Sequence, residues 1–186
     1  YKILQSHSVG VGNPIPIEFA RLMLITKMQS LAKAYSGVQL ETLRRIQWLI
    51  DNNVTPVVPE KGSVGASGDL APLAHLFLPL IGFGEVYYKN QRVPTMQMMQ
   101  QEQLAPVVLA PKEGLALING TQFILSYAVK GVQRLYNCLE AADIIGAMSL
   151  EALTGTKAPF DHRLHLLRPF NGNRLVAQRL PLLLHG

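Results

Sequence analysis

The chain has 186 residues, of which 48% are hydrophobic and 16% are charged, and its mean hydropathy is +0.18. This composition excludes an intrinsically disordered chain, and the length is enough for one compact domain or at most two. The formal net charge of +5 would permit nucleic acid as a partner, but no run of Lys or Arg exceeds Arg44-Arg45, so we expect dispersed surface charge and no nucleic-acid binding.

Apolar residues at helical spacing predict two helices in the first third of the chain. The first covers about residues 17–36 and is followed by Gly37, a common residue after a helix end. The second covers about residues 43–50 and ends at the polar run Asp51-Asn52-Asn53.

A third helix is predicted to begin at Asp69, whose side chain is expected to cap its first turn, and to end before Gly82. Beyond it, β-forming residues at 86–88 and 92–93 flank the turn Lys89-Asn90-Gln91. This pattern predicts a small, peripheral β-hairpin, the one β feature that the sequence indicates.

The second half of the chain is dominated by one long predicted helix. Thr95 is expected to cap a short helix that ends near residue 104, and residues 112–118 predict another turn or two. Thr121 is then expected to open a proline-free helix that runs to about residue 154, roughly 50 Å at the α-helical rise. Polar residues interrupt every window of about 20 residues, so this helix is not expected to cross a membrane.

The long helix determines the predicted fold class. Its broad apolar surface favours a bundle core, formed within the chain or between subunits. One more helix, carrying Leu180 and Leu184, is predicted near the end of the chain. We therefore expect a mainly α protein, a bundle of long helices with a glycine-rich active-site loop and one small β-hairpin.

The most unusual segment of the sequence is the glycine-rich run Gly62-Ser63-Val64-Gly65-Ala66-Ser67-Gly68-Asp69. It lacks the Gly-Lys-Ser/Thr ending of a phosphate-binding P-loop. It also lacks the Gly-x-Ser-x-Gly elbow of serine hydrolases, and no strand is predicted to lead into it. Neither nucleotide binding nor serine hydrolysis is therefore favoured.

The tripeptide Ala66-Ser67-Gly68 offers a different chemistry, in which the backbone itself reacts. In a sharply bent loop the Gly68 amide nitrogen can approach the Ala66 carbonyl carbon and close a five-membered ring. Loss of water from the ring closure, and of a second water from the Ser67 side chain, would leave an imidazolone with an exocyclic methylene. That methylene is an electrophile, and strain in the loop would supply part of the driving force for its formation.

The same run, continued as Leu70-Ala71-Pro72-Leu73-Ala74-His75, closely resembles the signature of the aromatic amino-acid ammonia-lyases. Members of this family carry a 4-methylideneimidazole-5-one group made from Ala-Ser-Gly. Three further segments resemble family segments in the same order along nearly the whole chain: Ser6-His7-x-x-Gly10-x-Gly12, the stretch from Lys112 to Gln122, and Pro159-Phe160-Asp161-x-Arg163-x-His165.

The resemblance implies an activity and a substrate. In the family, the two residues at the position of Ser6-His7 look like the pair that selects the substrate. This pair is Ser-His in enzymes that act on histidine, His-Leu in those that act on tyrosine and Phe-Leu in those that act on phenylalanine. A histidine suits an imidazole substrate, because burying a ring nitrogen without a hydrogen bond costs about 1–3 kcal/mol. The expected reaction is non-oxidative elimination of ammonia from L-histidine to give trans-urocanate, after the substrate amine or its ring adds to the methylidene group.

Asn119 is the other residue that the resemblance places beside the prosthetic group. Asn-Gly is ordinarily a turn sequence, but the Asn119 amide could bond the ring oxygen and stabilise the charge formed on addition. The histidines His162, His165 and His75 are expected to be structural, since the chain offers no convincing metal-ligand set around them. Neither a metal nor a diffusible cofactor is implied.

The resemblance also implies that the chain is an internal fragment. We expect residues 1–118 to be the part that carries the prosthetic group and residues 119–186 to begin the central helical bundle. The general base and the carboxylate-binding residues would lie outside the chain, so the fragment alone is expected to be inactive. The complete protein would be a homotetramer, and a single cysteine, Cys138, is consistent with a cytoplasmic location.

Two other functions remain open from the sequence. One is a tyrosine or phenylalanine ammonia-lyase, or an aminomutase, of the same superfamily. The other is a helical association module that binds through apolar helix faces and performs no chemistry.

Overall fold

A computed structural model describes residues 2–62 and 69–185, most of which are helical. This confirms the predicted mainly α fold class. The helices are α1 (Lys2–His7), α2 (Ile17–Leu31), α3 (Leu40–Asp51), α4 (Leu70–Phe77), α5 (Thr95–Gln101), α6 (Glu113–Ile118), α7 (Gln122–Ala152), α8 (His162–Leu166) and α9 (Asn171–Leu183). Short 3-10 turns follow α4 at Leu78–Ile81 and precede α8 at Ala158–Phe160.

The β-structure is more extensive than the sequence predicted. Strands β1 (Val11–Pro14) and β3 (Pro59–Lys61) form an antiparallel pair, and β2 (Thr55–Pro56), β4 (Glu85–Tyr88) and β5 (Gln91–Pro94) form a three-stranded sheet in the order β2-β4-β5. The predicted hairpin is β4-β5, with Tyr88 opposite Gln91. The other strands are only two to four residues long and contain proline, so they lack a readable alternation.

Two helix boundaries differ from the sequence prediction. Helix α2 ends at Leu31 rather than near residue 36, and Ala34 adopts a left-handed φ of 65°, which is incompatible with a continuing α-helix. Helix α1 was not predicted at all. With six residues and Leu4 as its one buried residue, it is too short to show helical periodicity.

Two predicted helix caps are wrong. Thr95 is the first residue of α5 rather than its cap, and its hydroxyl donates to the Phe83 carbonyl oxygen at 2.8 Å. Asp69 occupies the residue before α4, but its side chain makes no capping hydrogen bond to that helix. The Asp69 carboxylate instead accepts from the backbone amide of Phe123, in the first turn of α7, at 2.9 Å.

The chain divides into two compact units, residues 1–130 and 131–186, and α7 runs from the first into the second. In the first unit, α4 packs against α1, α2 and α6. Its core is built from buried apolar side chains of these helices and of the sheet: Leu4, Met23, Leu24, Ile46, Leu73, Phe77, Val86 and Leu117.

The second unit has a smaller core, in which Ala147 of α7 is buried with Leu180 and Leu184. The predicted broad apolar surface of α7 is exposed at several positions: Val129, Val132, Leu135, Leu139, Ile144, Ile145 and Met148. Within residues 2–62 and 69–185, the helices fall short of the combined length and hydropathy needed to span a bilayer.

Candidate active site

The predicted reactive residues Ala66, Ser67 and Gly68 lie outside the described residues. The described chain reaches Gly62, directly after β3, and resumes at Asp69, directly before α4. The other predicted site residues are carried by α1, which ends at His7, and by Asn119, which follows α6. Helices α1, α4 and α6 pack against one another, so the fold brings together the elements that carry these residues.

The entry to the glycine-rich segment is held by a close backbone contact. A Cβ atom on Gly62 would lie 2.8 Å from the Cα of Gly10, and Gly62 has a φ of 141° that side chains rarely permit. Pairing of β1 with β3 places Val11 opposite Lys61 and so sets Gly10 beside Gly62. Two segments far apart in sequence therefore meet where the predicted active-site loop begins.

The side chain of His75, in α4, also contacts the backbone at Gly10. The Gly10 backbone amide donates to His75 Nε2 at 3.0 Å, so Nε2 is the acceptor and the proton of the neutral ring lies on Nδ1. Burial lowers the pKa of His75, which favours this neutral form. The sequence predicted a packed or hydrogen-bonded histidine here, and the contact confirms that role.

Ser6 and His7 form the last turn of α1. His7 Nδ1 lies 2.9 Å from the Ile3 carbonyl oxygen, and Ser6 Oγ donates to the same oxygen at 3.1 Å. Because a carbonyl can only accept, the Ile3 contact requires the proton on His7 Nδ1. In the tautomer with its proton on Nδ1, Nε2 of this half-buried ring is left as a hydrogen-bond acceptor.

Asn119 ends α6 in an extended conformation, with φ −87° and ψ 127°. Its side-chain Nδ2 donates to the Leu115 carbonyl oxygen at 2.9 Å, one turn back along the helix. The amide therefore has a defined orientation and keeps a second N–H and its Oδ1 for other partners. Its backbone carbonyl oxygen accepts a hydrogen bond from Lys27 Nζ of α2.

Lys27 is a residue that the sequence reasoning missed. Its side chain lies within the buried face of α2, together with Leu24 and Leu31, and the residue is only 2% exposed. Burial lowers the pKa of Lys27 to about 8, and the charge of Asp69 opposes that shift. The sequence did contain an indication that Lys27 is buried, because this lysine lies at the helical spacing of the apolar residues of α2.

Asp69, directly after the predicted reactive tripeptide, is fully buried. Burial raises the pKa of its carboxyl, while hydrogen bonds from the Phe123 and Ile124 amides and the charge of Lys27 lower it. Oδ2 accepts from the Phe123 amide, whereas Oδ1 has no hydrogen-bond partner within the described structure. The start of α4 thus carries a buried carboxylate with unused acceptor capacity.

The third segment that resembles the family, residues 159–165, is held by contacts between its own residues. Asp161 accepts from the Arg163 backbone amide at 2.9 Å and pairs with the Arg163 guanidinium, which holds the pKa of Asp161 well below its usual range. His165 Nε2 lies 3.1 Å from the Pro159 carbonyl oxygen. Among residues 2–62 and 69–185, His, Cys, Asp and Glu side chains form no group of three that could hold a metal ion.

Comparison with known proteins gives consistent matches over nearly all of the chain. The family model described as aromatic amino acid lyase matches residues 1–186. The chain is 47% identical to histidine ammonia-lyase of Myxococcus xanthus over 178 residues, which cover 96% of this chain and 35% of that protein. The chain therefore spans about a third of the length of the curated relatives it matches.

Two solved structures show the same fold. The crystal structure of histidine ammonia-lyase from Trypanosoma cruzi matches with a TM-score of 0.87 and 39% identity, over 96% of this chain and 35% of that one. Tyrosine aminomutase from Streptomyces globisporus matches with a TM-score of 0.90 and 34% identity, over 100% of this chain and 35% of that one.

Proposed function

Because the chain belongs to the aromatic amino acid lyase family, we propose that the protein of which it is part is a histidine ammonia-lyase. It would eliminate ammonia from L-histidine without oxidation and give trans-urocanate. Three curated relatives that are 39–47% identical to this chain carry that name. The observation that carries the substrate assignment is the Ser6-His7 pair, whose backbone contact leaves a ring nitrogen as acceptor.

A tyrosine or phenylalanine ammonia-lyase, or an aminomutase, is the second candidate. The similarity to tyrosine aminomutase of Streptomyces globisporus supports it, since that structure matches the fold as well as a histidine ammonia-lyase does. Fold therefore does not separate these reactions. The higher identity to histidine ammonia-lyases and the Ser6-His7 pair favour histidine. Family membership argues against a module without catalytic activity.

We assign the prosthetic group, 4-methylideneimidazole-5-one, to Ala66, Ser67 and Gly68. The residues on either side of this tripeptide fit such a group. Gly62 has no room for a side chain against Gly10, and Asp69 keeps one buried carboxylate oxygen without a described partner. When formed, the group supplies an electrophile that makes departure of the substrate's amino group easier.

His7 is the residue that would bind the substrate ring. In the tautomer whose proton lies on Nδ1, toward the Ile3 carbonyl, the ring offers Nε2 as acceptor to an N–H of the substrate imidazole. A phenyl ring has no donor at all, and a phenol ring carries its one donor on a hydroxyl outside the ring, farther from Cβ than an imidazole N–H. The unsatisfied Nε2 would then cost about 1–3 kcal/mol on burial, which disfavours these substrates.

Asn119 would stabilise charge that develops during the reaction. Its Nδ2 is oriented by the hydrogen bond to the Leu115 carbonyl, so its second N–H is preorganised for an acceptor in the site. A preorganised donor needs little rearrangement when negative charge appears beside it. The general base that removes the β-proton is assigned to a part of the protein outside this chain.

The complete protein is proposed to be a cytoplasmic homotetramer that uses neither a metal nor a diffusible cofactor. The exposed apolar residues of α7, such as Val132, Leu135 and Met148, support association with further chain or further subunits. Long helices with exposed apolar faces usually bury them against other helices. The 186-residue chain alone is expected to be inactive.

The test is a substrate comparison with the full-length protein. Formation of the conjugated acid product is followed by ultraviolet absorbance with L-histidine, L-tyrosine and L-phenylalanine in parallel. We expect a rate with L-histidine that exceeds the other two by about 100-fold or more, the discrimination of a site built for a polar group. Preference for tyrosine or phenylalanine would favour the second candidate, and no product from any of them would contradict the proposal.

A further inference from the structure

Lys27 is a buried charge on a face of α2 whose other buried residues are apolar. It lies on the face of α2 that packs into the core, between Leu24 and Leu31, and is 2% exposed. Burial of an ammonium group costs several kcal/mol unless partners compensate, and an apolar residue of similar volume would pack there at no such cost. The partners of Lys27 therefore decide what it does.

Those partners lie at the ends of other helices. Lys27 Nζ donates to the carbonyl oxygen of Asn119, where α6 ends, and a cation at that place is favoured by the helix dipole. Its charge also acts on Asp69, which directly precedes α4. Asp69 in turn accepts from the Phe123 amide in the first turn of α7.

The hydrogen bond of Lys27 and the charge it places near Asp69 therefore bear on three places that matter for the proposed reaction. They are the backbone of Asn119, the residue that follows the reactive tripeptide, and the start of the long helix α7. The hydrogen bonds from Lys27 to Asn119 and from Phe123 to Asp69 are both partly buried, so water competes with them less than at the surface. Displacement of Asn119 by a fraction of an ångström would misdirect its side-chain amide.

We propose that Lys27 is a positioning residue, whose buried ammonium holds the Asn119 backbone carbonyl in place so that the Asn119 side-chain amide is aimed into the active site. This inference rests on the proposed function, since it is there that Asn119 acts on the reaction. Lys27 itself does not touch the substrate. Its contribution is to the orientation of another residue, so its loss affects the reaction step more than substrate binding.

The kinetic test uses the full-length protein with Lys27→Met, Lys27→Arg and the control Lys33→Met. Methionine keeps the unbranched apolar stem, arginine keeps the charge, and Lys33 is an exposed lysine just beyond α2. For Lys27→Met we expect kcat to fall by about 30-fold and KM to change by less than about 3-fold, as misalignment predicts. Lys27→Arg should recover most of the lost kcat, and Lys33→Met should match the unmodified protein.

A second readout does not depend on catalysis. Backbone hydrogen exchange, followed by mass spectrometry in a peptide covering residues 115–125, should be faster in Lys27→Met than in Lys33→Met. If Lys27→Met does not fold, Lys27→Gln replaces it with the same expected result. If the unmodified protein is inactive on L-histidine, the proposed function fails while the exchange measurement still tests the positioning of Asn119.

The proposal is overturned if Lys27→Met keeps the kcat of Lys33→Met, or if its exchange over residues 115–125 is unchanged. It is also overturned if kcat and KM change together and Lys27→Arg restores neither. In that case Lys27 would serve packing alone. Recovery by arginine, together with a selective loss of kcat in the methionine variant, supports a positioning role for the charge.

Discussion

The backbone amide of Gly10 donates a hydrogen bond to His75 Nε2, with 3.0 Å between the two nitrogens and 65 residues between them in sequence. This bond joins the segment before β1 to α4, on either side of the predicted active-site loop. We expect His75→Phe to lower the free energy of unfolding by about 1–3 kcal/mol, because the Gly10 amide loses its acceptor. Urea unfolding measures this, with the exposed His185→Phe as control, and equal stability of both variants would contradict it.

The same bond predicts a pH dependence of stability. Burial lowers the pKa of His75 below the ordinary value of 6.5, so the unfolded chain binds the proton more readily than the folded one. The contribution of this group is therefore complete above pH 6.5 and is lost as the pH falls through and below that value. Urea unfolding from pH 7.5 to 5 should show a steeper loss in the unmodified protein than in His75→Phe. Parallel pH profiles would contradict this prediction.

Gly62 should not tolerate a side chain. In Gly62→Ala the new Cβ would lie 2.8 Å from the Gly10 Cα, in a backbone conformation that disfavours alanine. We expect a loss of about 2–4 kcal/mol in unfolding free energy, combining backbone strain with overlap. Gly37→Ala is the matched control, since Gly37 also has a positive φ but has open space around it, and it should lose only about 1 kcal/mol. Equal losses for the two variants would contradict the proposed backbone contact.

The contrast between Leu76 and Lys27 shows which features the sequence could predict and why contacts between distant segments could not be predicted from it. Leu76 belongs to a regular apolar stripe, so periodicity, together with the start and stop signals at Asp69 and Gly82, predicted α4 and its buried face. Lys27 occupies a similar stripe on α2, but the residue it hydrogen-bonds, Asn119, is 92 residues away, and the residue its charge acts on, Asp69, is 42 residues away. Spacing rules read neighbours within a helix, so they missed this contact and also assigned the Asp69 side chain to α4 instead of α7.

Ser67→Ala in the full-length protein should abolish the prosthetic group. The Ser67 hydroxyl is the leaving group of the second dehydration, so its removal leaves a chain that can lose at most the water of ring closure. We expect turnover of L-histidine to fall by about 1,000-fold or more, as for loss of a covalent catalyst. Intact mass measures the missing waters, and Ser30→Ala, at an exposed position of α2, is the control. Near-native rates in Ser67→Ala would refute the assignment.

His7→Leu in the full-length protein should change substrate preference. Leucine removes the Nε2 acceptor that we assign to the substrate imidazole, while an apolar side chain suits a phenyl or phenol ring. We expect kcat/KM for L-histidine to fall by about 10- to 100-fold, the equivalent of one lost buried hydrogen bond, and preference to move toward tyrosine or phenylalanine. The control is His185→Leu at an exposed position. Unchanged discrimination among the three substrates would reject His7 as selector.

The lowered pKa of Lys27 predicts that the free energy of unfolding changes with pH in the alkaline range. Its pKa is lowered by burial from 10.5 to about 8, and among the described residues Asp69 is the charged group that acts on it. Between these two pH values the unfolded chain binds more protons than the folded chain, so this group makes stability rise with pH. The Lys27→Met variant lacks this titratable group, whereas every other titratable group is present in both proteins. The difference in unfolding free energy between the unmodified full-length protein and Lys27→Met should therefore shift in favour of the unmodified protein from pH 8 to pH 10. Lys33→Met, which keeps Lys27, should follow the unmodified protein. A difference that stays constant over this range would mean that the pKa of the Lys27 ammonium is not lowered by burial.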